Sequence, residues 1–237
     1  VFFSACTKEK SDTIHTDSFV KIQLTNTING KPMQLNTNYT NAFHEAFRLT
    51  DYKYIISNIK LINPVKNFII PESYHLIDEK DPSSKLISAE IKTDTYSGIS
   101  FTIGIDSARQ VSNAPLGIMD PSKGMFLDLH LGYMTAKLEG ESEFSGAPNH
   151  VLRHYIGGFE GRYSSLRHVV MAFHRPITVA AGQTLEIDIK SELLRWFDGQ
   201  HQMQIIHNPT ILKPGDKAMN IADNCSKQFS VSSLQVN

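Results

Sequence analysis

The sequence predicts an all-β protein, an antiparallel β-sandwich with long loops and one or two short helices. Three observations predict it. Apolar residues recur mostly with period two, the pattern of strands with one wet and one buried face. Turn dipeptides such as Asn29-Gly30, Asp81-Pro82, Asp120-Pro121, Ala181-Gly182 and Pro214-Gly215 separate these runs at short intervals. The chain of 237 residues, 41% apolar and 20% charged, is long enough to bury one sizeable core without stapling.

Taken in order, Val20, Ile22 and Leu24 alternate with Lys21 and Gln23 in the first strand. A short helix is expected over 40–47. Strands follow at 53–62, 73–78, 85–93 and 96–105, and a long loop is expected from 106 to 125. The segment 129–139 reads as a strand and 140–152 as a second long loop; long ordered loops in sandwiches carry function or extra packing. Strands at 166–173 and 185–189, a short helix at 192–197 and a last strand at 229–236 complete the chain. The expected organisation is a tether over 1–17 and one β-sandwich domain over 18–237.

Twenty-three basic residues against twenty-four acidic ones give a net charge of −1, with no basic stripe to follow a phosphate backbone, so no nucleic-acid partner is expected. No stretch is long and apolar enough for a membrane-spanning helix. The N-terminal run VFFSACTKEKSD has the form of a bacterial lipoprotein signal: small Ser4-Ala5, then Cys6 as the lipid-bearing residue, then a polar tether. Membrane contact would come only through that lipid, and the expected location is the periplasm or cell surface, as an outer-membrane lipoprotein. The competing reading pairs Cys6 with Cys225. Two cysteines exclude a disulfide framework.

A glycine-rich phosphate loop, a His-Glu-x-x-His helix, an EF-hand loop, a nucleophile elbow and a Cys-x-x-Cys pair are all missing from the sequence. No nucleophile–base pair stands out, and the chain is read as a binding protein, not an enzyme. Ten histidines remain as the chemistry-bearing residues. On a strand, Asp128 and His130 would share one face, a carboxylate beside an imidazole, which suits a metal shell or an oriented histidine. His154 precedes Gly157-Gly158, where backbone could approach a bound group. His168 and His174 are too far apart along one strand to share an ion; His75 and His207 read as packing or turn histidines.

The segments YKYIISNIKL, ESYHLID, YSGISFTIGIDSARQVSNAPLGIMDPSKGMF, GYMTAKLEG, APNHVLRHYIGGFEG, LRHVVMAFHRPITV and IADNCSKQFSV resemble, in order, the MbnP-like proteins, in the form found in Bacteroidetes. The resemblance runs from about Val20 to the C-terminus. It implies a β-rich, exported, copper-associated protein, some of whose relatives oxidise a tryptophan to kynurenine through a partner di-haem cytochrome of the peroxidase type. The family segment after Gly-Met-Phe reads Trp-x-Trp-Asn-x-Gly-Tyr; here it is Leu127, Asp128, Leu129, His130, Leu131, Gly132 and Tyr133. Both tryptophans are leucine, which cannot yield kynurenine, and the asparagine is His130. His154 and His75 match recurrent family histidines, whereas Trp196 falls at a different position.

Two readings follow. In the first, His130 and His154 bind copper or another transition metal, with Asp128 as a ligand or as the group that orients one, since imidazole suits such ions and thiolates are scarce. In the second, the chain is a non-metal surface module that contacts a glycan, a peptide or an outer-membrane partner through its loops.

Overall fold

The computed structural model describes residues 17–106, 109, 117–128 and 130–237. Among the described residues, fifteen strands run in the order β1 (Ser18–Ile28), β2 (Lys31–Pro32), β3 (Asn38–Thr40), β4 (Ala46–Ile62), β5 (Phe68–Ile69), β6 (Tyr74–Asp78), β7 (Leu86–Ile91), β8 (Asp94–Ile103), β9 (Phe126–Asp128), β10 (Gly132–Glu141), β11 (Val151–Gly157), β12 (Arg167–Val179), β13 (Thr184–Glu192), β14 (Thr210–Ile211) and β15 (Phe229–Val236). Helix α1 (Asp216–Cys225) precedes the last strand. The all-β sandwich class expected from the alternation is the class observed.

The smaller sheet has the order β15-β13-β1, with β2 and β7 both pairing with β1. The larger follows β12-β8-β4-β10-β11-β14. Strand β4 is its spine: β10 pairs with its first half and β8 with its second, while β3, β6 and β5 line up along the opposite edge. Most pairings are antiparallel, as expected, but β1–β13 and β11–β14 are parallel, so both sheets are mixed.

The main core lies between the sheets, where Val20, Ile22 and Leu24 of β1 and Ile187 and Ile189 of β13 meet Tyr52, Tyr54 and Ile56 of β4. Side chains alternate across a strand, so Ile55 faces the other way. There it joins Ile105, Met125 and Met134 in a small second cluster that covers part of the outer face of the large sheet. The segment 117–127 contributes Ile118, Met119 and Leu127 to this layer. The end of the expected long loop is thus packed onto the sheet. Beside the cluster the same outer face carries an ionic ladder: Lys53–Asp78 at 2.7 Å, Lys137–Asp51 at 3.0 Å and Lys80–Asp51 at 3.1 Å.

The helix expected over 40–47 does not form. Asn41 Oδ1 accepts the backbone N–H groups of Phe43 and Glu45, both at 3.0 Å, and His44 has φ 62°. This side-chain turn competes with helix formation and delivers the chain into β4. The helix expected at 192–197 is a single 3₁₀ turn, Leu193–Trp196. In α1, Ala218, Met219, Ile221, Ala222 and Cys225 face inward at helical spacing. Cys225 is a free, buried thiol whose pKa burial pushes well up. Residues 1–16, with Cys6 and the expected tether, lie outside the described residues, as does Leu129.

Candidate metal centre

The strand that carries Asp128 is reached through a tight device. Asp120 accepts Ser122 N–H at 2.8 Å ahead of the 3₁₀ turn Pro121–Lys123, and Gly124, at φ 72°, reverses the chain into Met125. Strand β9 then lasts only three residues. Asp128 Oδ1 accepts the N–H groups of His130 at 2.8 Å and Leu131 at 2.7 Å, and Gly132, at φ 71°, starts the return strand opposite Asp128. His130 therefore occupies an exposed hairpin tip, not the middle of a strand. It does not share a strand face with Asp128, because the carboxylate folds back onto the turn's own backbone.

His154 lies elsewhere. It sits on β11 opposite Leu138 of β10, whereas the hairpin tip is at Gly132. That length of strand is about 20 Å. His154 is fully buried and lies edge to edge with the indole of Trp196, with ring centroids 6.2 Å apart and planes within 5°. Trp196 Nε1–H donates to His154 Nδ1 at 2.8 Å. The indole is only a donor, so Nδ1 is the acceptor, and Nε2–H must donate to the Asn208 carbonyl at 2.6 Å. Both ring nitrogens are committed and the tautomer is fixed. No lone pair is left for a metal.

His130, Asp128 and His154 thus do not converge, and the expected three-residue site does not fit a single ion. Among the described residues no group of three or more His, Cys, Asp and Glu side chains could hold a metal ion. His168 and His174 are both exposed on β12 and remain separate features. His75 pairs with Ile56 on the edge strand β6. Its Nε2 is buried without a hydrogen-bond partner, and burial holds its pKa below the ordinary value.

The His154 environment has a measurable consequence. Burial lowers its pKa from 6.5 to about 4, so folding favours the neutral ring. The unfolded chain takes up this proton as pH falls below 6.5, and the folded chain only near 4. Stability contributed by His154 is therefore complete above pH 6.5 and is lost progressively down to about 4, by roughly 3 kcal/mol in all. Unfolding free energies of wild type and His154→Gln between pH 7.5 and 4 check this. A wild-type slope equal to that of the variant would refute it.

Open clefts flank the large sheet. One of about 370 Å³ is lined by Tyr39, Arg48, Glu141, Asn149 and His150, among others. Another of about 520 Å³ lies between β6 and the 117–123 segment, with Tyr74, His75, Asp81 and Lys123 at its walls. Arg48 is already ion-paired with Glu141 across the first cleft.

No curated protein matches the chain. Among solved structures, MbnP from Methylosinus trichosporium superposes with a TM-score of 0.59 at 13% identity, covering 90% of this chain and 98% of that one. At that identity the likeness establishes a shared fold. The family model described as MbnP matches residues 17–214, from the start of β1 through β14. A match over that much of the sequence, on a sandwich of the same fold, settles the family: the chain belongs to the MbnP family.

Proposed function

We propose that this protein is an exported, lipid-anchored copper-binding member of the MbnP family that holds the metal, carries out no catalysis of its own, and works beside a di-haem cytochrome of the peroxidase type. The observation that carries the reading is the family match over 17–214. The copper association and the cytochrome partner come with the resemblance, and the anchor reading rests on Ser4-Ala5-Cys6 and the polar run behind it. The metal is held without a tryptophan-derived ligand, since Leu127 and Leu129 replace the family tryptophans. His154 is not a ligand in this proposal, because Trp196 and Asn208 engage both of its nitrogens. Nor are Asp128, whose Oδ1 is engaged by the backbone of its own turn, and the exposed His130 beside it.

The test is titration of the full chain with Cu(I) under anaerobic conditions and with Cu(II) in air, read by competition with a chromophoric chelator. One equivalent bound by the wild type in either oxidation state is the expected result. No binding in either state would sink the copper reading and leave the non-metal surface module in its place.

A further inference from the structure

We propose that Cu(I) is held by methionine thioethers on the outer face of the large sheet, with Met125 and Met134 as paired ligands and Met119 as the third donor. The inference rests on the copper reading above and names the site within it. The expected imidazoles fail to converge. The described structure gathers sulfur instead.

Three of the chain's seven methionines belong to the small cluster around Ile55 and Ile105. Met134 N–H donates to the Met125 carbonyl at 2.7 Å, which continues the β9–β10 ladder by one pair and sets the two residues opposite each other. Both pack into the same cluster, so both side chains lie on one face. Opposed residues in an antiparallel ladder have Cβ atoms about 4.5–5.5 Å apart. Two flexible thioether arms can close on one point from that spacing. Met119 is brought to the cluster by the Tyr133 hydroxyl, which donates to its carbonyl at 2.6 Å. Met125 is 0% and Met134 3% exposed, whereas Met119 is half-buried and offers the way in from solvent.

The donor chemistry selects the ion. Thioether sulfur is neutral and soft, which favours Cu(I) over hard or borderline cations. The surrounding Ile55, Ile105, Leu127 and Ile118 form an apolar shell of the kind that restricts water and favours the lower charge state. Leu127, at one of the family's tryptophan positions, lies so close over Gly157 that a Cβ there would come within 2.5 Å of its Cδ1. Gly157 stands opposite Met134. The substituted position of the family pattern therefore borders the methionine pair.

The experiment is an anaerobic Cu(I) competition titration of the full chain with bicinchoninate as the probe. It compares wild type, Met125→Leu/Met134→Leu and His130→Ala, with circular dichroism and melting as controls of fold. Leucine nearly conserves the methionine volume. The double variant is expected to bind at least about tenfold more weakly, while His130→Ala binds as the wild type does. Wild-type affinity should stay flat between about pH 8 and 5, because thioethers carry no competing proton whereas imidazole does. A folded double variant that binds Cu(I) like the wild type overturns this site and leaves the copper reading standing; a wild type that binds none overturns both. Should the double variant not fold, X-ray absorption on the wild-type Cu(I) complex decides: sulfur neighbours support the site, and a shell of nitrogen and oxygen alone overturns it.

Discussion

Replacing Glu45 with alanine is expected to destabilise the fold by roughly 3–5 kcal/mol. The carboxylate is 3% exposed. Its Oε2 accepts Ile205 N–H at 2.7 Å and Asn41 Nδ2–H at 2.6 Å, and its Oε1 accepts Ile206 N–H at 2.9 Å. One side chain thus ties the turn before β4 to a loop some 160 residues further along the chain. Alanine would leave these donors in place with nothing to receive them, and each buried orphan costs about 1–3 kcal/mol. Glu45→Gln keeps one acceptor oxygen and should lose roughly half as much. Urea unfolding followed by the fluorescence of the single tryptophan measures both. An alanine variant within about 1 kcal/mol of wild type would mean that water replaces the carboxylate without loss.

Trp196→Ala should cost about as much, roughly 3–5 kcal/mol. Its indole is fully buried, meets the Tyr52 ring edge to face at 5.9 Å and lies edge to edge with His154. Removing it opens a cavity in the main core and takes away the donor to His154 Nδ1. Trp196→Phe preserves much of the volume but not the N–H, so it should fall between wild type and alanine. A double-mutant cycle with His154→Ala, read by circular dichroism, isolates the coupling of the two rings; contacting pairs in one network couple by about 0.5–3 kcal/mol. Exact additivity would show that the two residues only fill space.

The alternation that betrays strands is legible where one face is wet. In β1, Lys21 and Gln23 alternate with core residues, and in β13 Asp188 and Lys190 do the same. Strand β4 is harder to read, because Tyr52, Tyr54 and Ile56 enter the main core while Ile55 enters the second cluster. Burial on both faces erases the period, and the strand begins at Ala46, seven residues before its apolar run suggested. Helix α1 did leave a signal, Pro214-Gly215 followed by apolar residues at helical spacing, but its short amphipathic stretch is easily taken for loop. The hairpin tip was also written locally, in Asp128 and Gly132. The engagement of His154 by Trp196 was not: their 42-residue separation is bridged only by tertiary packing.

The parallel pairing of β1 with β13 governs the order in which the molecule can assemble. Phe19 lies beside Thr184 and Thr27 beside Glu192, and Ser18 Oγ–H reaches the Ala180 carbonyl across 162 residues of chain. Strand β1 therefore waits for a partner that follows it at long sequence separation. Any N-terminal piece that ends before β13 can offer β1 only β2 and β7 as neighbours, and it leaves the other edge of that strand open. Closure at such sequence separation makes for slow folding, on the order of milliseconds to seconds or longer. Until β13 arrives, Val20, Ile22 and Leu24 stay without half of their sheet.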